Sequence, residues 1–273
     1  MSAALKTALG IAGVVLAVYA VLLAVLWWKQ EALLFQPSPL PMDYPLATES
    51  DVHEDFVQVP GARLSVLQLR LPRPKGVVVF LHGNGGNLAG WFTATDAYRR
   101  ANFDLVMPDY RGYGKSSGSI RSAAQLRADV RAVWDSVAAR YAGRRVVLYG
   151  RSLGTGLAAD LGDQLTQEGH PPDLTVLVSP YASMRALTSE LYPWVPGALL
   201  RYPLDTAAHL PGVGGRVLLL HGDEDALIPV DHARRLARTT PAARLVVVPG
   251  AGHNDLHEFP LYGTELQAEL GRL

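Results

Sequence analysis

Val146-Val147-Leu148-Tyr149-Gly150-Arg151-Ser152-Leu153-Gly154-Thr155-Gly156-Leu157-Ala158-Ala159 reads as a buried strand, a sharp turn and the opening of a helix. Four apolar, β-favouring residues form a run of strand length, and a helical stretch follows Gly154. The turn itself has the form G-x-S-x-G. Its flanking glycines leave room for a strained backbone at Ser152, which holds the serine hydroxyl clear of the sheet and beside the positive end of the following helix. An ordinary strand-to-helix turn could carry the same five residues, so the reading depends on what surrounds them.

On either side of this turn, β-rich apolar runs alternate with helical patterns. Candidate strands are Asp55 to Val59, Arg63 to Leu71, Val77 to Leu81, Asp104 to Met107, Val146 to Tyr149, Leu174 to Val178, Val217 to Leu220 and Leu245 to Val248. The first two form a hairpin around Pro60-Gly61, and the other six read as buried, as in a sheet covered on both faces. Between them, Ser122 to Tyr141 carries Leu126, Val130, Val133, Trp134 and Val137 along one helical face. The expected fold class is α/β, with a mostly parallel eight-stranded sheet flanked by helices. A chain of 273 residues suffices for one such domain with an appendage.

Composition narrows the function. Lys and Arg total 25 against 25 Asp and Glu, so no basic field gathers phosphates and nucleic acid is not expected as a partner. The chain has no cysteine, which excludes disulfides, a thiolate nucleophile and a cysteine-linked lipid anchor.

Ligands of open α/β sheets bind beyond the carboxyl ends of the strands. A serine hydroxyl there needs a base to take its proton and a third group to orient that base, in the chain order Ser, acid, His. After Val217 to Leu220 comes His221-Gly222-Asp223-Glu224-Asp225-Ala226-Leu227-Ile228-Pro229, and after Leu245 to Val248 comes Gly250-Ala251-Gly252-His253-Asn254-Asp255. We assign Asp225 as the acid and His253 as the base. Asp223 is the rival acid, with bracing of the turn through backbone N–H groups as its expected role. The loop His82-Gly83-Asn84-Gly85-Gly86-Asn87 follows Val77 to Leu81, and its close-set glycines let N–H groups point into the site. The expected oxyanion hole combines the N–H of Leu153, next after the nucleophile, with that of Asn84. His82 is expected to order the loop.

With these residues in view, the chain resembles the α/β-hydrolase superfamily, and within it membrane-anchored hydrolase-domain proteins close to serine aminopeptidases. The likeness covers nearly the whole chain. It rests on the apolar amino-terminal run followed by Leu33-Leu34-Phe35-Gln36-Pro37, then on His82-Gly83-Asn84-Gly85-Gly86-Asn87, Asp109-Tyr110-Arg111-Gly112-Tyr113-Gly114, Gly150-Arg151-Ser152-Leu153-Gly154 and Gly252-His253-Asn254-Asp255. The resemblance implies a Ser152, Asp225 and His253 triad, no metal or organic cofactor, and hydrolysis of a carboxylic ester, thioester or related acyl bond. A serine peptidase of the same fold and a noncatalytic membrane-anchored binding module are the alternatives, because one fold hosts many functions.

Two other patterns are weaker. Gly114-Lys115-Ser116 follows a strand, but Asp109 stands where a P-loop requires its first glycine. That segment is expected to shape the site wall, with Asp109 and Arg111 tying down loops. His253 and His257 are four apart, yet Asn254 occupies the place of the glutamate that zinc hydrolases carry there. Between Ser179 and Leu210, a stretch with Tyr181, Met184, Leu187, Leu191, Tyr192, Trp194, Leu199, Leu200 and Tyr202 reads as a small helical lid at about 180–210. Its apolar side chains either pack the lid onto the body or line an acyl pocket. A lipid-like acyl ester is then a plausible substrate.

At the amino end, Ala8 to Trp28 is an uncharged run whose helical rise of about 31 Å matches a hydrocarbon core of about 30 Å. Val18-Tyr19-Ala20 offers small residues for cleavage as a signal peptide. The run continues past them, however, to Trp27-Trp28-Lys29, an aromatic and cationic end suited to a membrane interface. We therefore read residues 1–30 as a transmembrane anchor, 31–50 as an extended Pro-rich stalk and 51–273 as the catalytic domain. Lys6 and the amino terminus, against Lys29 alone, favour the catalytic domain on the extracytoplasmic side.

Overall fold

The computed structural model describes residues 2–273. Eight strands form one sheet: β1 Val52–Val59, β2 Ala62–Leu69, β3 Gly76–Leu81, β4 Phe103–Pro108, β5 Arg145–Arg151, β6 Leu174–Val178, β7 Arg216–Gly222 and β8 Ala243–Val248. Their spatial order is β1-β2-β4-β3-β5-β6-β7-β8. The pairings β1/β2 and β2/β4 are antiparallel, and all those from β4 through β8 are parallel. The sheet is therefore mixed, with a parallel majority and an antiparallel hairpin along one edge. Strand ends extend beyond the apolar runs: His53 pairs with Gln68 in β1 and β2, and Arg145 with Gly76. Ladder hydrogen bonds recruit polar residues that hydrophobic periodicity leaves out.

The helices are α1 Ala3–Trp28, α2 Gln30–Leu34, α3 Leu88–Trp91, α4 Thr95–Ala101, α5 Ala123–Ala138, α6 Leu153–Gln167, α7 Met184–Leu191, α8 Thr206–His209, α9 Asp231–Thr239 and α10 Pro260–Gly271. Alternation along β3 divides the core between them. Val77, Val79 and Leu81 join a layer containing Leu126 of α5, Leu157 of α6 and Leu236 of α9. Val78 and Phe80 join the opposite layer, with Tyr98 of α4 and Leu266 of α10. Side chains of successive strand residues point to opposite faces, so a strand buried on both faces reads as one continuous apolar run. The start of α5 is set by Ser122, whose hydroxyl accepts the N–H of Gln125 at 3.1 Å. Its expected last turn, to Tyr141, tightens into a 3-10 turn over Ala139–Tyr141.

Among the described residues α1 is the one helix long and apolar enough to cross a membrane, and none of its residues is buried against the body. The segment after it corrects the expectation of an extended stalk over residues 31–50. Gln30–Leu34 is helical, and the chain beyond it straps the body. Phe35 is 2% exposed and meets the Tyr202 ring edge-on at 4.9 Å. Pro37 bridges to Gly86 and Pro39 to Gly114, with Ser38 and Leu40 donating their N–H groups to the carbonyls of Gly86 and Gly114 at 3.0 and 2.8 Å. The prolines do hold this piece extended, but an aromatic ring gains by burial and unpaired backbone groups gain by pairing, so it adheres.

Between β6 and β7 the lid consists of α7, a 3-10 turn at Gly197–Leu199 and α8. Tyr181 and Tyr202 are fully buried in the core, whereas Leu191, Tyr192 and Trp194 remain exposed.

Candidate active site

β5 ends at Arg151 and α6 begins at Leu153, leaving Ser152 alone at the corner with φ +49° and ψ −116°. Backbone strain of this kind costs about 1–3 kcal/mol and persists only where the surroundings over-determine it. Here the Ser152 N–H donates to the Val178 carbonyl at 2.9 Å, which pins the corner to β6. The glycines on either side answer a different need from the room for strain expected of them. A Cβ at Gly150 would come within 2.5 Å of the Gly154 carbonyl oxygen, and one at Gly154 would collide with the backbone of Leu81. They permit α6 to approach β5 and β3.

The structure brings Ser152, His253 and Asp225 together from three separate loops. His253 Nε2 is 3.0 Å from Ser152 Oγ, and His253 Nδ1 is 2.8 Å from Asp225 Oδ2. Asp225 Oδ1 accepts the N–H groups of Leu227 and Ile228 at 3.0 and 2.7 Å. Burial alone would push this carboxyl up. Nearby His221, the hydrogen bond from His253 and that from the Ile228 N–H together outweigh burial and hold it well below the usual carboxylate range. The group is thus an anion at neutral pH, and His253 presents its Nδ1–H to it and its Nε2 lone pair to the serine. Asp223, the rival acid, is exposed and accepts the N–H of Gly250 at 2.7 Å. That contact braces the turn carrying His253.

Leu153, as the first residue of α6, has an N–H without an intrahelical acceptor. Asn84 lies with Leu153 and Ser152 at the base of one cavity. The loop carrying Asn84 touches the corner, since a Cβ at Gly83 would sit 3.5 Å from that of Ser152. Beneath it His82 is fully buried, its Nδ1–H donating to the Gly83 carbonyl at 2.7 Å. Burial lowers its pKa to about 4, the Gly83 hydrogen bond opposing. Asp109 is buried beside it, with Oδ1 3.6 Å from His82 Nε2 and accepting the Leu88 N–H at 3.1 Å. Burial raises Asp109 to about 7, against the Leu88 hydrogen bond and with Glu54 adding to the rise. At 3.6 Å this is no hydrogen bond, and both shifts favour the neutral forms, so the contact is not an ion pair. Arg111 instead grips Asp129 of α5 through two hydrogen bonds, at 2.6 and 2.8 Å.

Three positioning residues escaped the sequence. Arg151 donates to the carbonyls of His253 and Asn254 at 3.3 and 3.1 Å and lies 5.5 Å from the Trp91 ring centroid, tying the serine corner to the histidine loop. His221 backs Asp225 at 3.4 Å. The carbonyl of Phe35 in the strap accepts both the Gly85 N–H, at 2.8 Å, and the Tyr113 hydroxyl. A strand-terminal position was the available signal for Arg151 and His221, and Phe35 carried none beyond its resemblance. His257 is exposed, and no cluster of three or more potential metal ligands occurs among the described residues.

Above Ser152 opens a cavity of about 540 Å³, within the usual range for small-molecule sites. The lid contributes Met184, Leu187 and Leu191 to its walls, and the amino-terminal segment contributes Leu26, Trp27 and Leu34. No charged side chain lines it among the described residues.

The family model described as "Serine aminopeptidase, S33" matches residues 72–211, and one described as "TAP-like protein" matches residues 201–258. Over 217 residues the chain is 31% identical to Alpha/beta hydrolase domain-containing protein 17B of Xenopus tropicalis, covering 76% of this chain and 69% of that protein. The chain belongs to the α/β-hydrolase superfamily. As an α/β-hydrolase it is also 30% identical to an uncharacterized protein of Mycobacterium tuberculosis over 259 residues, 91% of this chain and 89% of that one. A solved esterase of Pyrococcus furiosus shares the fold, with TM-score 0.66 at 16% identity over 88% of this chain and 96% of the esterase.

Proposed function

We propose that this α/β-hydrolase cleaves carboxylic esters or thioesters through an acyl-enzyme on Ser152. The observation that carries the reading is the hydrogen-bonded series from Ser152 Oγ through His253 to Asp225 at the base of an uncharged cavity. Ser152 Oγ attacks the acyl carbon while His253 Nε2 takes its proton. The tetrahedral oxyanion is held by the Leu153 and Asn84 N–H groups. Nε2 returns the proton to the leaving oxygen or sulfur as its bond to carbon breaks. Water then attacks the acyl-enzyme, giving its proton to Nε2, and Ser152 leaves with that proton as the free acid forms. Asp225 stays ionised throughout and orients His253.

The cavity favours esters over the substrates of an aminopeptidase. An α-ammonium group would lose its hydration there without a carboxylate to receive it, at a cost of several kcal/mol. We further propose α1 as a membrane anchor, with the catalytic body on the extracytoplasmic side.

A fluorophosphonate probe should label the wild type and not Ser152→Ala, and turnover of a panel of short and long acyl p-nitrophenyl esters should fall by at least about 10³-fold in the variant. Equal labelling of both proteins would sink the nucleophile assignment. A folded wild type inert toward every ester would favour a binding module, and aminoacyl amide cleavage rivalling that of esters would favour a peptidase.

A further inference from the structure

The cavity above Ser152 is walled on one side by the end of α1 and by α2 and on the other by the lid, and both helices are bonded to the lid. Gln30 donates through Nε2 to the Leu199 carbonyl at 3.0 Å and accepts the Arg201 N–H at 2.7 Å. Tyr202 donates its hydroxyl to Glu31 at 2.6 Å. Deeper along α1, the Tyr19 hydroxyl donates to the Trp194 carbonyl at 2.7 Å. Tyr19 lies eight residues before Trp27, which is about 12 Å along the helix axis.

That last contact fixes the depth of the lid. With Trp27, Trp28 and Lys29 at the membrane interface, a segment bonded to Tyr19 lies about 12 Å inside the bilayer, in its hydrocarbon layer. The lid sequence suits this depth. Leu191-Tyr192-Pro193-Trp194-Val195-Pro196-Gly197-Ala198-Leu199-Leu200 carries no charge, and Leu191, Tyr192 and Trp194 are 37%, 52% and 45% exposed. Charges stand at both ends of this run. Glu190 is paired with Arg235 at 2.7 Å on the body, and Arg201 is paired with Glu31 beyond the interface end of α1. Ser152 shares the cavity with Leu26 and Trp27 at the interface end of α1 and with Trp194 deeper along it, so the cavity connects the nucleophile to the interface, the level of a membrane lipid's ester group, and to the hydrocarbon below.

We propose that the lid tip, residues 191–198, is inserted in the bilayer beside α1, and that the cavity receives long-chain acyl esters of membrane amphiphiles sideways from the adjacent leaflet, without passage through water. The substrate part of this inference rests on the hydrolase reading above, and the lid placement rests on α1 as a membrane anchor. An acyl chain moving from hydrocarbon into an apolar cavity meets no desolvation barrier, whereas one leaving the bilayer exposes each methylene at about 0.8 kcal/mol.

The full-length protein in phosphatidylcholine vesicles tests both parts. Methylumbelliferyl oleate is placed either in the same vesicles as the protein or in separate vesicles, and water-soluble methylumbelliferyl butyrate reports the chemistry independently. Oleate should be cleaved about tenfold faster or more from the shared membrane, and equal rates would overturn lateral entry. Because the chain has no cysteine, Leu191→Cys, Trp194→Cys and, on the exposed end of α9, Arg238→Cys each accept one fluorophore. Lipids brominated on their acyl chains should quench the first two, and aqueous iodide should quench the third. Iodide quenching at 191 and 194 equal to that at 238 would overturn the insertion while butyrate turnover upholds the hydrolase reading. A wild type inert on both esters would overturn that reading and the substrate with it, and quenching would still decide where the lid lies.

Discussion

Gly154 and the buried His82–Asp109 contact set constraints that act on single residues. In Gly154→Ala the new methyl group meets the backbone carbonyls of Leu81 and His82, and backbone cannot rotate away as a flexible side chain would. The expected result is a loss of about 1–3 kcal/mol or more, read as a lowered urea midpoint, with slower fluorophosphonate labelling as the Ser152 corner shifts. His82 and Asp109 carry opposite pH signatures. With its folded pKa depressed to about 4, His82 contributes stability that is present above the ordinary histidine value near 6.5 and lost as pH falls toward 4. With its folded pKa raised to about 7, Asp109 contributes stability that is present at low pH and lost as pH rises from the ordinary carboxylate range through 7. Between about pH 4 and 6.5 the two slopes, each at most about 1.4 kcal/mol per pH unit, offset one another. Relative to wild type, Asp109→Asn should therefore lose stability as pH falls through this window, and His82→Leu should gain it. Urea titrations at stepped pH check both signs. None of this is visible in the sequence, where His82 and Asp109 are only the ends of two loops. Their shifts come from burial, which depends on neighbours far along the chain.

At the scale of elements, Arg111 and Asp129 join the loop after β4 to α5. Their side chains are only 4% and 3% exposed. Removing one partner of such a pair leaves an uncompensated buried charge, at about 3–5 kcal/mol, while replacing both with apolar residues is often near neutral. Arg111→Met should accordingly destabilise by that amount, and Arg111→Leu with Asp129→Leu should recover most of it in the same denaturation assay. Elements differed in how legible they were beforehand. β3, β5, β6 and α5 announce themselves, because a doubly covered strand must be continuously apolar and an amphipathic helix must repeat its apolar face, with Ser122 as a cap. Strand ends such as His53 and Arg145 did not, since hydrogen-bonded pairing tolerates any side chain. The lid was legible as an apolar surplus, but which of its residues pack and which line the cavity was not: Tyr181 and Tyr202 are buried, and Met184, Leu187 and Leu191 face the cavity.

Over the whole molecule, the strap of residues 35–40 links the amino-terminal helix, the lid and the glycine-rich loop. Phe35→Ala should cost about 3–5 kcal/mol, as deletion of a buried aromatic ring does, measured by thermal or urea unfolding. Deleting residues through Val25, which keeps Leu26 and Trp27 in the cavity wall, should leave turnover of a short soluble ester largely intact. Deleting through Pro39 should lower stability and that turnover together, because the Gly85 N–H and the Gly86 carbonyl lose their partners in the strap. The sequence by itself determined the chain order of the eight strands, marked the G-x-S-x-G corner, and singled out Ser152, Asp225 and His253 as candidates, because these depend on local periodicity and on motifs confined to single loops. Only the tertiary structure decided that the proline-rich segment is a strap, that Arg151 and His221 brace the site, that burial shifts His82 down and Asp109 up, and that the apolar helix and the lid share one cavity wall. Each of those depends on groups distant in the chain meeting away from water, and burial of that kind leaves no local pattern to read.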